Sequence, residues 1–213
     1  MKKKKTTFAA FVLLLIVVVG GAVAYFTDVD EKTNVFTIGS VNISLTETNW
    51  DTTDTSPANG VPDASEGLMP GETVAKNPAI DNESTKNDAY VFIKVVVPCT
   101  TETTPQEIFT YTINTDTWTE LTGSAVACTS GGTATHVYYY GTGGTLTVLA
   151  KASNDTTPTS TFKAVFDNVT VRNTLKGTEG LSGNKSIVVT GYGIQKDGLA
   201  SVVPATVWTY FSN

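Results

Sequence analysis

A length of 213 residues sets a prior of one domain, with room for short appendages. All twenty acidic residues lie beyond Ala24, whereas Lys2–Lys5 supply four of the fourteen basic ones, so the chain after Ala24 carries ten basic against twenty acidic residues, a formal charge of −10. That balance excludes the basic footprint needed for nucleic acid or an anionic membrane surface, and the single histidine, His136, excludes a zinc site with two histidines from one chain.

Met1–Thr7 carries four lysines, Phe8–Val19 is almost unbroken apolar sequence, and Gly20-Gly21-Ala22-Val23-Ala24 follows. Charged, hydrophobic and small-residue regions in that order predict a signal peptide over 1–24. Ala22 and Ala24 form its A-x-A site, and Tyr25 is the new N-terminus. The alternative is a retained anchor, because Phe8–Phe26 is about nineteen residues, just enough to span a bilayer. No basic cluster follows that stretch; Asp28, Asp30 and Glu31 do. Either reading predicts export, with membrane contact only through the uncleaved segment.

Residues 25–46 form the expected N-terminal strand segment and 47–213 the expected sandwich domain. Within Val35–Leu45, Val41, Ile43 and Leu45 alternate with Asn42 and Ser44, the period of a half-buried strand. Residues 49–72 hold Pro57, Gly60, Pro62, Gly67, Pro70 and Gly71 and read as a long surface loop. Tyr90–Val97 is apolar on both parities except at Lys94, as in a central strand, and Pro98 closes it because proline cannot donate into a ladder.

Further strands are predicted at Ile108–Ile113, His136–Tyr140, Thr145–Ala150, Phe162–Phe166, Val169–Arg172, Ser186–Gln195 and Val207–Phe211, with a helical turn at Pro105–Ile108. Turn clusters such as Ser130-Gly131-Gly132 and Gly141-Thr142-Gly143-Gly144 separate them. No segment carries a long apolar stripe at helical spacing. The expected fold is therefore all-β, a jelly-roll-like β-sandwich preceded by a cleavable signal peptide.

Chemistry is sparse. His136, within Thr135-His136-Val137-Tyr138, reads as part of a sheet face. No H-E-x-x-H and no G-x-S-x-G surrounds a candidate metal site or nucleophile. Asp28, Asp30 and Glu31 lack the glycine and distal glutamate of a calcium loop, so solvation is their expected fate. Sequons at Asn42, Asn82, Asn154, Asn168 and Asn184 are expected by chance in a chain this rich in Asn and Thr. Cys99 and Cys128 admit one pairing, closing a loop of about thirty residues worth roughly 3 kcal/mol in the chain-entropy model. Two buried thiols are the alternative. Catalytic residues, metal ligands and cofactor are each read as none.

Ala22-Val23-Ala24-Tyr25-Phe26-Thr27-Asp28, followed by Asn34-Val35-Phe36-Thr37-Ile38-Gly39-Ser40-Val41-Asn42-Ile43-Ser44-Leu45, resembles the start of the TasA/camelysin family. Met69-Pro70-Gly71-Glu72-Thr73-Val74, Lys76-Asn77-Pro78, Asn87-Asp88-Ala89-Tyr90-Val91 and Val188-Val189-Thr190-Gly191-Tyr192-Gly193-Ile194-Gln195 resemble later pieces of it. The resemblance covers both ends and the main central strand. It implies a Gram-positive protein exported through a SipW-type signal peptidase to the cell surface or matrix. It also implies a jelly roll whose relatives polymerise into biofilm fibres, with the chain itself and paralogous matrix proteins as partners.

In such fibres the mature N-terminal segment inserts into the next subunit. Here that role falls on Tyr25, Phe26, Val29, Val35, Phe36 and Ile38, an apolar set that an edge strand accepts through backbone hydrogen bonds. The alternative is an ordinary first strand packed on its own domain. Camelysin members are also described as surface metalloproteases, which would require a zinc site that this sequence does not display. An accessory or anchoring matrix protein is a further reading.

Overall fold

Strand Ala89–Pro98 is the axis of the fold because its sequence is apolar on both parities. In the computed structural model, which describes residues 41–55, 58, 61–153, 164–175 and 185–212, all belonging to the unit Gly39–Asn213, this strand is β4. The strands before it are β1 (Ile43–Thr46), β2 (Thr73–Ala75) and β3 (Ala79–Asn82). After it come β5 (Phe109–Thr110), β6 (Trp118–Glu120), β7 (Thr133–Tyr140), β8 (Asn168–Val171) and β9 (Val188–Gln195), then a helix α1 (Pro204–Trp208). The central sheet runs β6-β7-β4-β9; β2-β8-β5 and β1-β3 form two smaller sheets, and every pair is antiparallel. The chain is nearly all β, an all-β sandwich in class.

Alternation of side chains across a strand sends Ala89, Val91, Ile93, Val95 and Val97 to one face of β4. They join Ile80 of β3, Val169 of β8, Trp118, Val165 and Phe166 in the main core. The other parity sends Tyr90 and Phe92 into a second core with Val137, Tyr139, Leu121, Leu146 and Val207 of α1. Fully burying each such side chain is worth about 1.5–3 kcal/mol, so a strand buried on both faces contributes twice per repeat. Lys94 breaks the second face; its ammonium sits 5.7 Å from the Tyr192 ring centroid, a cation–π contact.

The signal-site residues Ala22, Ala24 and Tyr25, the donor-strand residues Tyr25, Phe26, Val29, Val35, Phe36 and Ile38, the acidic trio, and sequons Asn154 and Asn184 lie outside the described residues. Several predicted strands differ. Val207–Phe211 is not a strand: Pro204 occupies the first turn of α1, and Val207, Trp208 and Phe211 follow at helical spacing in the second core, with Trp208 and Phe211 packed on Phe92 and Tyr192. β-rich composition masked that period. Thr145–Ala150 contributes one bridge, Leu149 to Ala89, because Leu146 and Leu149 enter different cores rather than alternating on one face.

Residues 164–166 of the predicted Phe162–Phe166 strand are not in strand, and 162–163 lie outside the described residues. Only Phe109–Thr110 of Ile108–Ile113 is paired, and Glu107 bridges Cys99 in extended form where a helical turn is predicted. The short strands β2, β3 and β6 were not predicted. Asn82 of β3 is fully buried. Its amide donates to the carbonyls of Asn87 (3.0 Å) and Leu149 (3.2 Å), and its carbonyl accepts from the Ser84 amide at 3.0 Å. A sequon there serves packing.

Candidate functional site

β7 carries His136 with the same parity as Tyr138, so its ring lies on the main-core face of the sheet. Register brings Glu120 alongside from β6, and the extended chain before β5 brings Glu107. Nδ1 lies 2.7 Å from Glu120 Oε1 and Nε2 lies 2.8 Å from Glu107 Oε1. Tyr138 lies parallel to the imidazole, and Tyr111 meets it edge-on, each with centroids 6.3 Å away. The two phenol oxygens are 3.0 Å apart.

Glu107, against the opposing effect of burial and reinforced by Glu120, pushes the His136 pKa up to about 9. Burial, helped by the neighbouring hydroxyl of Tyr138, holds the Tyr111 phenol far above its ordinary range, and burial does the same to Tyr138. At neutral pH the group is therefore an imidazolium donating both N–H groups to carboxylates, a charge-assisted arrangement. Both ring nitrogens are engaged by carboxylate oxygens.

The donor set also fails a geometric test for zinc. Its only imidazole has a carboxylate at each end of the ring, so no single point lies within coordination distance of the three groups. Cys99 and Cys128 are joined in a disulfide, with Cα atoms 5.8 Å apart, and supply no thiolate. Among the described residues no three His, Cys, Asp or Glu side chains converge on one ion position.

A second feature is the outer edge of β9. The Lys196 amide donates to the Asp88 carbonyl at 2.9 Å, while Ala89 exchanges both its bonds with Leu149 on the opposite side. The antiparallel alternation then turns the amides and carbonyls of Thr190, Tyr192 and Ile194 toward β4. Those of Val189, Gly191, Gly193 and Gln195 point outward, where no described strand pairs with them. β1 packs over the core face of β9 beside this edge: a Cβ on Gly193 would stand 2.7 Å from Ile43 Cγ2 and 3.4 Å from Val41 Cγ1. The chain thus enters the described fold beside β9.

The family model for camelysin metallo-endopeptidase matches residues 1–107. The chain belongs to the TasA/camelysin family. No curated protein and no solved structure matches it. The matched segment of this camelysin-family chain takes in β1–β4 and ends at Glu107, so the contact of Glu107 with His136 crosses its boundary. It contains no histidine, so a histidine-ligated centre has no place within it. Sequence reading placed His136 on a sheet face but missed Glu107 and Glu120. They are 29 and 16 residues away, and only antiparallel register makes them neighbours.

Proposed function

We propose that this TasA/camelysin-family chain is an exported structural subunit of extracellular fibres, assembled when Tyr25–Ile38 of one copy adds to the β9 edge of another. The outer edge of β9, unpaired among the described residues, supports this reading. It runs for eight residues, Val188–Gln195, about 27 Å at strand rise, and presents four residues' worth of backbone groups. Unpaired edges recruit strands, and Tyr25, Phe26, Val29, Val35, Phe36 and Ile38 supply apolar side chains to cover them. Export by a signal peptidase acting after Ala24, with residence in the matrix or at the cell surface, completes the reading; paralogous matrix proteins are candidate co-subunits.

Light scattering on the protein as cells release it tests this. Growth into polymers is expected, and deletion of Tyr25–Asp30 is expected to leave a folded monomer; polymers unchanged by the deletion contradict it. The family description favours a second reading, a metallo-endopeptidase. Casein cleavage by the pure protein, abolished by chelator and by His136→Ala, would establish that reading in place of the first.

A further inference from the structure

Between β5 and β8 the ladder opens. Phe109 pairs with Val171 and Thr110 with Thr170, and the two backbones meet again where the Asn114 amide donates to the Val165 carbonyl at 2.7 Å. The intervening residues border a cleft of about 350 Å³, at the small end of ligand-sized pockets, which begin near roughly 300 Å³. Thr112, Asn114, Asp167 and Asn168 line it, with Tyr111 and Ile113 adding apolar surface. Tyr111 is fixed there by Phe166, with ring centroids 4.4 Å apart, and by its hydroxyl contact to Tyr138.

The chemistry of this lining is narrow. Among the described residues no Lys, Arg or His lines it, and the chain as a whole is acidic, which disfavours phosphate, sulfate and uronate ligands. Asp167 is the one carboxylate among the described lining residues, a poor basis for a calcium site, which draws on six or more oxygens. An added β-strand does not fit either, because main-chain hydrogen bonds close the cleft at both ends and leave only about three residues, roughly 10 Å, between them. What remains is a carboxylate that accepts, two carboxamides that donate and accept, and a threonine hydroxyl that does both. Vicinal hydroxyls on a ring are the complement of that set.

The geometry points to a binding site for a neutral sugar ring, in which Asp167 accepts from adjacent hydroxyls while Asn114, Asn168 and Thr112 complete the hydrogen bonds and Tyr111 and Ile113 border the less polar face. The site is independent of polymerisation. In a fibre it repeats once per subunit.

Amide NMR of the released protein tests it, with neutral oligomers of glucose, galactose, mannose and N-acetylglucosamine, oligogalacturonate and CaCl₂ as separate probes. A neutral oligomer is expected to shift the amides of Thr110–Asn114 and Asp167–Thr170 saturably, and Asp167→Asn and Asn168→Ala are each expected to weaken that binding about tenfold without lowering Tm. The proposal is overturned if no neutral oligomer shifts those amides, if only oligogalacturonate or calcium does, or if both variants bind as the parent does.

Discussion

Ile43 occupies the volume that a side chain on Gly193 would need: its Cγ2 lies 2.7 Å from where a Cβ would stand. That atom is a branch on the Ile43 Cβ and has little freedom to retreat. Gly191 faces a softer neighbour, the terminal Cδ1 of Ile80 at 3.1 Å. Gly193→Ala is therefore expected to destabilise the domain by about 1–3 kcal/mol through overpacking. Gly191→Ala should lie near neutrality, since its smaller strain is offset by an unfolded-state gain of up to about 1 kcal/mol. Urea denaturation of the two variants checks the order.

Three groups on three segments meet at His136. Its folded-state pKa, pushed up to about 9, lies above the ordinary 6.5. The contribution to stability is accordingly complete below about pH 6.5 and is lost as pH rises through 9. With Glu120 partly solvated, about 1–2 kcal/mol is expected after screening. Titrating the imidazole by NMR should give a midpoint near 9, and Glu107→Gln should bring it down toward 6.5. Stability measured from pH 6 to 10 should fall in the parent and stay flatter in His136→Gln.

Cys99 lies at the end of β4 and is buried, and its disulfide to Cys128 ties that end to the loop before β7, across a separation of 29 residues. Replacing both cysteines by alanine is expected to cost about 3 kcal/mol, read as a lower urea midpoint. Reductant should reproduce the loss in the parent and leave the double variant unchanged.

The helical phase of α1 makes its own contrast. Val207 is fully buried, and Trp208 and Phe211 pack on Phe92, whereas Tyr210 is 52% exposed. Trp208→Ala should cost about 2–4 kcal/mol, and Tyr210→Ala should stay within about 0.5 kcal/mol of the parent. Equal costs at the two positions would contradict the helix.

The central strand was legible because burial on both faces writes itself as an unbroken apolar run. β7 and β9 were legible for a related reason, since their apolar residues bracket β4. The shortest strands were not. β2, β3 and β6 are three or four residues long, too short for a period to register, and β3 spends one of its inward positions on Asn82. α1 was misread because Val207, Trp208, Tyr210 and Phe211 favour strands locally, while only packing against Tyr192 and Phe92 selects the helix. At the site, a sequence names His136 but cannot name the glutamates that hold it, because register is a property of the folded sheet.

Val189→Pro offers the most direct test of strand addition at β9. It deletes an outward-facing amide while leaving every bond from β9 to β4 in place, a substitution that edge strands tolerate. Negative-stain microscopy of the released protein is predicted to show filaments for the parent. The proline variant should remain a monomer with a circular dichroism spectrum and Tm close to the parent's. A parent that stays monomeric at every concentration, or filaments formed equally well by Val189→Pro, would contradict the account.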